Sequence, residues 1–250
     1  MLTRRVAVTL LIALSLPSVS SAQSPSKWAD SIRNEIDAAT ISGDMNRLHA
    51  ARALAERALA VSPGDWLLLH YLGYSAYVEA GQTTGRGGNA KPLLDQARDA
   101  LEKSEAKHGL AETAAVLSSV YGQLIAVDPS QAMSLGMLAG QEMDRAVSLA
   151  PTNPRVWIIR GVNAIFAPPE YGGSLGQAET QLTRAIQLFA ADKPNPSEPT
   201  WGRAEAYAWL GVTHQKQGDN IKAAADFRKA LEIAPEYNWV KYVLIPSLQK

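Results

Sequence analysis

Apolar residues recur along most of the chain at intervals of three and four, the spacing that places them on one face of a helix. The pattern is clearest near the C-terminal end, where Asp219, a residue type that often begins helices, separates two such runs. Seven positions share one register there: Tyr207, Leu210, Gly211, Ala223, Phe227, Ala230 and Pro235. No segment shows the alternation of a strand bounded by turns, so the pattern predicts an all-α protein.

This register has a physical reason. Gly211 and Ala223 are small enough for two antiparallel helices to approach closely, and Leu210 and Phe227 fill the space between them. Pro235 ends the second helix. The pattern resembles the tetratricopeptide repeat, a helix-turn-helix unit of about 34 residues. The resemblance implies a right-handed superhelical solenoid built from such hairpins.

Less regular copies of the pattern precede the last one, interrupted by insertions. One of them consists of Trp157, Gly161, Ala178, Leu182 and Ala185. We therefore expect one repeat domain over residues 23–250, with five hairpins and a capping helix that shields the last hairpin. The predicted units are residues 27–63, 65–109, 111–151, 154–190 and 204–237, and the capping helix is residues 238–249.

Two glycine-rich inserts, residues 81–89 and 168–174, precede second helices of the predicted hairpins. Backbone N–H groups at a helix start can hold an anion, which makes Arg86, Asn89 and Tyr171 candidate binding residues in these loops. Neither insert matches a nucleotide-binding fingerprint, so structural loops that cap the helices are the alternative. Residues 190–203 contain three prolines and read as an extended connector.

The first residues have the layout of a secretory signal peptide. Arg4 and Arg5 precede an apolar run, Val6–Leu16, and the small residues Ser20-Ser21-Ala22 provide a cleavage site. The run is shorter than the roughly 20 residues of a membrane span, so an uncleaved anchor is the less favoured alternative. We expect removal of residues 1–22, a periplasmic or secreted bacterial-type product, and no stable membrane insertion after cleavage.

Composition excludes several chemistries. The chain has 24 basic and 24 acidic residues, which gives no electrostatic basis for binding nucleic acid. It has no cysteine, hence no disulfide, thiolate metal site, cysteine nucleophile or lipid-modified cysteine. The four histidines lack paired metal-ligand spacing. No nucleophile and base, and no pair of acids, are placed together, so we expect no enzyme, metal or cofactor.

The resemblance also indicates which residues line the inner face of the solenoid. In the second and fourth units these positions are unusually apolar and aromatic. The candidate binding residues are His70, Tyr74, Tyr77, Arg155, Ile158, Val162, Ile165 and Phe166. They form an open binding groove if exposed; the alternative is that the glycine-rich inserts or a further packed helix bury them.

These features favour an exported, non-enzymatic scaffold that binds a protein or peptide partner in its concave groove. An alternative is a binding protein for a small hydrophobic solute, associated with a transporter and with the glycine-rich inserts acting as lids. An enzyme is the third and least favoured alternative, because nothing assembles a catalytic pair.

Overall fold

The computed structural model describes residues 25–249, so the expected signal peptide lies outside the described residues. Ten helices pair in sequence as antiparallel hairpins, and residues 25–249 contain no strand. The helices are α1 (Pro25–Ser42), α2 (Met45–Val61), α3 (Trp66–Gly85), α4 (Lys91–Glu105), α5 (Ala111–Val127), α6 (Ala132–Leu149), α7 (Pro154–Phe166), α8 (Leu175–Leu188), α9 (Arg203–Lys216) and α10 (Asn220–Ile233). The all-α prediction of about five stacked hairpins is confirmed.

Helix starts follow from local sequence. The carboxylates of Asp44 and Asp65 accept hydrogen bonds from backbone N–H groups in the first turns of α2 and α3. The side-chain oxygens of Asn153 and Asp219 accept the corresponding hydrogen bonds in the first turns of α7 and α10. Each side chain satisfies a donor that the helix itself cannot pair, which fixes where the helix begins.

The helices of a pair approach most closely at glycines in the first helix. A Cβ atom added at Gly73, Gly161 or Gly211 would lie less than 3.0 Å from a core side chain of the partner helix. Those side chains are Leu101 for the first and Leu182 for the second. The third, Gly211, lies against the ring of Phe227, as its sequence register predicted.

The first glycine-rich insert is shorter than its sequence indicates, because α3 continues through Gly85. Helix α3 ends just before Gly87, which adopts a φ of 76°, and the N–H group of Gly88 donates to the carbonyl of Thr83. A glycine in the left-handed region is the common way to close a helix, so the residues up to Gly85 extend the helix instead of forming a loop.

The segment after α10 covers the last repeat, as a capping element should. Tyr237, Val240 and Leu244 are buried against α9 and α10. The cap differs from the single α-helix expected: residues Val240–Leu244 form a π-helical turn, followed by the short helix Ile245–Ser247. Pro246 cannot donate a backbone hydrogen bond four residues back, and the wider turn accommodates its ring.

The two ends of the array meet. The side-chain amide of Asn238, after α10, donates to the carbonyl of Ser42 at the end of α1, over 2.7 Å. Ile41 packs against the core of the last hairpin. The superhelix therefore closes on itself, which leaves a narrow interior lined by odd-numbered helices.

Candidate functional site

The inner face is covered by the connector between α8 and α9, residues 190–202, which we name the strap. The strap is irregular, with a turn at Pro196 and Ser197, and its contacts reach α1, α3 and α7. Arg33 Nη1 donates to the carbonyl of Glu198 over 3.3 Å, and Thr200 Oγ1 donates to Asp37 Oδ2 over 3.2 Å. The Tyr71 hydroxyl donates to the carbonyl of Ser197 over 2.5 Å.

An aromatic stack anchors the far end of the strap. Trp201 lies parallel to Tyr74, with ring centroids 5.3 Å apart, and Tyr74 stacks in turn on His70. His70 is fully buried and its Nδ1 is 2.9 Å from the Thr113 hydroxyl. Burial lowers the pKa of His70 to about 3, so its ring is neutral at physiological pH.

Arg155 anchors the start of the strap. Its guanidinium is 1% exposed and makes two hydrogen bonds to the carboxylate of Asp192, over 2.6 and 3.2 Å. Such a two-pronged, charge-assisted pair is strong and fixes the orientation of both groups. Glycine is required at Gly202, where a side chain would meet Ile158 and the Phe189 ring.

Four predicted groove residues therefore do not line an open groove. His70, Tyr74, Arg155 and Ile158 are all buried. Of the two alternatives that the sequence left open, burial therefore holds for these four residues. The element that contacts Tyr74, Arg155 and Ile158 is the strap, and not a glycine-rich insert or a further helix. Tyr77, stacked on Tyr74 at 6.3 Å, is half-buried.

Three acids lie in the same interior: Glu112 and Glu205 are buried, and Asp37 is half-buried. Burial raises the pKa of Asp37 to about 6, against the opposing hydrogen bond from Thr200 and the charges of Arg33 and Arg155. Burial also raises the pKa of Glu205 to about 7, and the nearby charge of Asp37 adds to the effect. Desolvation likewise raises the pKa of Glu112, although Asn153 donates a hydrogen bond to it.

One part of the inner face stays open. Phe166, at the end of α7, is 62% exposed, and its ring meets Trp209 of α9 edge-on at 5.9 Å. Trp209 contacts Trp239 at 4.8 Å, and Lys216 Nζ lies 5.8 Å from the Phe166 ring. We name Phe166, Trp209 and Trp239 the aromatic surface.

The remaining predicted residues have mixed positions. Val162 and Ile165 of α7 are half-buried and pack against the core. Arg86 lies 3.5 Å from the carbonyl of Gly43, and Asn89 accepts a hydrogen bond from the N–H group of Lys91 at the start of α4. Tyr171 is 65% exposed in a short helical turn.

Sequence reasoning missed Trp209 and Trp239. The face positions taken from the repeat pattern skip Trp209, which lies one residue beyond Ala208, and they do not extend to the cap. The signal that could have found both is residue type, because tryptophan combines a large apolar ring with a polar group and is enriched at binding interfaces.

In residues 25–249 no group of three or more acidic or histidine side chains could hold a metal ion. Two shallow depressions lie on the described surface, one of about 430 Å³ beside Leu69 and Pro92 and one of about 680 Å³ along α8. Neither includes a predicted site residue. None of the helices described is both long and apolar enough to cross a membrane.

Comparisons with known proteins agree with this architecture. The profile of the family described as Tetratricopeptide repeat matches residues 204–237. The fold resembles that of the HusA haemophore from Porphyromonas gingivalis, with 22% identity and a TM-score of 0.62 over 76% of this chain and 94% of that one.

It also resembles a thermophilic TPR protein from Thermus thermophilus, TTC0263, with 22% identity and a TM-score of 0.61 over 88% of this chain and 100% of that one. At this identity the likeness concerns the fold alone. No curated protein sequence matches the chain. The chain thus contains a tetratricopeptide repeat and has the tetratricopeptide-repeat fold.

Proposed function

We propose that this tetratricopeptide-repeat protein is a non-enzymatic scaffold that binds a peptide segment of a protein partner on its aromatic surface. The observation that carries the proposal is the exposed ring of Phe166, which meets Trp209 edge-on, while Trp209 in turn contacts Trp239. Trp209 and Trp239 are half-buried, so the three rings form a partly exposed apolar patch, and such patches mark interaction sites.

The chemistry of the surface indicates what it recognises. Aromatic side chains are typical anchors of binding energy, because they bury a large area with few rotatable bonds. Lys216 beside the Phe166 ring adds a positive charge. A segment with apolar anchor residues and an acidic residue next to them therefore fits best.

Export is part of the proposal and has its basis in the signal-like layout of residues 1–22. The mature chain would then meet its partner in the periplasm or outside the cell. Mass spectrometry of the chain isolated from its own cells tests this point: the expected first residue is Gln23, and a chain that retains Met1–Ala22 contradicts export by cleavage.

Replacement of Phe166 tests the partner site. A photo-crosslinking residue at position 166 should capture one recurrent partner, and Phe166→Ala should weaken binding of that partner by about tenfold or more, as loss of a central aromatic anchor does. Ile221→Ala is the matched control, since Ile221 is 85% exposed but lies on α10. Equal capture from positions 166 and 221, or equal binding by both variants, would contradict the proposal.

A second candidate function is binding of a small apolar ligand, as the name of the HusA haemophore describes for that protein. Here the supporting observation is the exposed Phe166 ring beside Lys216, which together suit a flat apolar molecule with a carboxylate. Haemin is a suitable probe. A saturable change in its absorbance that both Phe166→Ala and Lys216→Ala reduce would favour this function over peptide binding.

A further inference from the structure

We propose that the strap is a releasable cover: residues 190–202 detach from the inner face while the helices stay folded, and detachment is easier when the carboxyl groups of Asp37 and Glu205 beneath it are both ionised. This inference goes beyond partner binding, since it concerns the unliganded chain. Release would uncover Tyr74, Arg155 and Ile158, the predicted groove residues that contact the strap.

The first observation is how the strap is held. It forms no helix, it contains Pro194, Pro196 and Pro199, and its segment from Lys193 to Pro196 is exposed to solvent. Its buried part consists of Ser197, Pro199, Trp201 and Gly202. A segment with few buried apolar contacts opens at a lower free energy than the helices on which it lies.

Backbone strain is the second observation. Ser197 has a φ of 68° and is the one non-glycine residue in the left-handed region within residues 25–249. A residue with a Cβ atom adopts this conformation only when its surroundings hold it there. The hydrogen bond from the Tyr71 hydroxyl to the Ser197 carbonyl restrains Ser197 in this conformation. Release of the strap would relieve the strain.

The third observation concerns polar atoms beneath and within the strap. Asp37 Oδ1, Arg155 Nε and Trp201 Nε1 are buried and have no hydrogen-bond partner among the described residues. The same holds for His70 Nε2. A buried polar atom without a partner destabilises the closed arrangement, and water reaches such atoms once the strap lifts.

The fourth observation is the charge beneath the strap. Arg33, Asp37, Tyr74, Glu112, Arg155, Glu205 and Tyr237 line this interior on the helices and cap, and the strap itself contributes Asp192 and Glu198. Arg155 is already paired with the carboxylate of Asp192, and Arg33 with that of Asp30 on α1, over 3.2 Å. Ionised Asp37 and Glu205 therefore repel each other without full compensation.

The sign of the pH dependence follows from these carboxyl groups. In the closed state, burial raises the pKa of Asp37 from 3.8 to about 6 and that of Glu205 from 4.5 to about 7. Lifting the strap returns both groups toward water and their ordinary values. The closed state thus binds protons more tightly, so closure weakens as the pH rises from about 4 to about 7 and then levels off.

Thiol labelling of the full-length chain tests the proposal. The chain has no cysteine, so Ser197→Cys places a single buried thiol in the strap, and Ser75→Cys places one in the core of α3. The second variant reports only global unfolding. Ser134→Cys places a thiol at an exposed position of α6, and division by its labelling rate at each pH cancels the intrinsic pH dependence of thiol reactivity.

We expect Ser197→Cys to react at least about tenfold faster than Ser75→Cys at pH 8, and its rate relative to Ser134→Cys to fall by at least about tenfold between pH 8 and pH 5. Adding Asp37→Asn and Glu205→Gln should remove most of this pH dependence, whereas Asp99→Asn, an exposed acid on α4, should leave it intact. Equal rates for Ser197→Cys and Ser75→Cys would overturn release of the strap. An unchanged pH profile in the double variant would overturn the role of the two carboxyl groups.

Discussion

At the scale of single residues, the close packing of the helix pairs depends on glycines whose positions leave no room for a side chain. Gly73, Gly161 and Gly211 occupy equivalent places in three hairpins, each under a large side chain of the second helix. Close packing of this kind tolerates no added methyl group, because the facing side chain cannot move without disturbing its own neighbours. Other helical glycines, such as Gly136, face open space.

Alanine substitutions at the two kinds of glycine should therefore have opposite effects. Gly211→Ala is expected to destabilise the protein by about 1–3 kcal/mol, because its methyl group would overlap the Phe227 ring. Gly136→Ala in α6 should stabilise it by about 0.5–1 kcal/mol through helix propensity alone. Urea unfolding of both variants measures the difference, and a stabilised Gly211→Ala would contradict the packing argument.

At the scale of elements, neighbouring hairpins meet through mixed apolar and ionic contacts. Between α4 and α6, Glu105 lies close to Glu142 and pairs with Arg145 over 3.0 Å. Burial and the neighbouring Glu142 carboxylate raise the pKa of Glu105 to about 7, although Arg145 opposes the effect. This contact therefore holds the second and third hairpins together best when Glu105 is protonated.

The resulting prediction concerns stability and pH. The folded state binds the Glu105 proton more tightly than the unfolded chain does, so this contribution to stability is lost as the pH rises from about 4.5 to about 7. Glu105→Gln should make thermal stability less dependent on pH over that range and raise it at pH 8. Asp144→Asn, an exposed acid on α6, should change neither. A steeper pH dependence in Glu105→Gln would show that the assigned sign is wrong.

At the scale of the whole molecule, the strap connects the fourth and fifth hairpins to the first hairpin. A solenoid is normally stabilised only by contacts between neighbouring repeats. Here the first hairpin also contacts the strap through Arg33 and Asp37, and Asn238 contacts Ser42 across the closure. Long-range contacts of this kind couple the unfolding of the two ends.

Tyr71→Phe tests this coupling because it removes one hydrogen bond from the strap without changing shape. The expected loss is about 1 kcal/mol, and hydrogen exchange should quicken both in residues 197–202 and in α1. Tyr121→Phe is the control, since the Tyr121 hydroxyl donates to Glu102 within neighbouring helices. If Tyr71→Phe affects only α3, the ends of the array are not coupled through the strap.

Much of the fold could be predicted from the sequence because helical repeats are local. The period of apolar residues specifies each helix, Gly211 and Phe227 specify how a pair packs, and residues such as Asp65 and Asn153 specify where helices begin. These determinants act between residues close together in the sequence, so they can be recognised without knowledge of distant residues.

Only the tertiary structure decided which part of the inner face is open. The strap meets Tyr71, Tyr74 and Arg155, residues far from it in the chain, and no spacing in the sequence encodes that meeting. Trp209 and Trp239 likewise become neighbours of Phe166 only when the fourth and fifth hairpins and the cap have stacked. Periodicity therefore determined the helices and their pairing, whereas the path of an irregular connector depends on contacts that exist only in the folded superhelix.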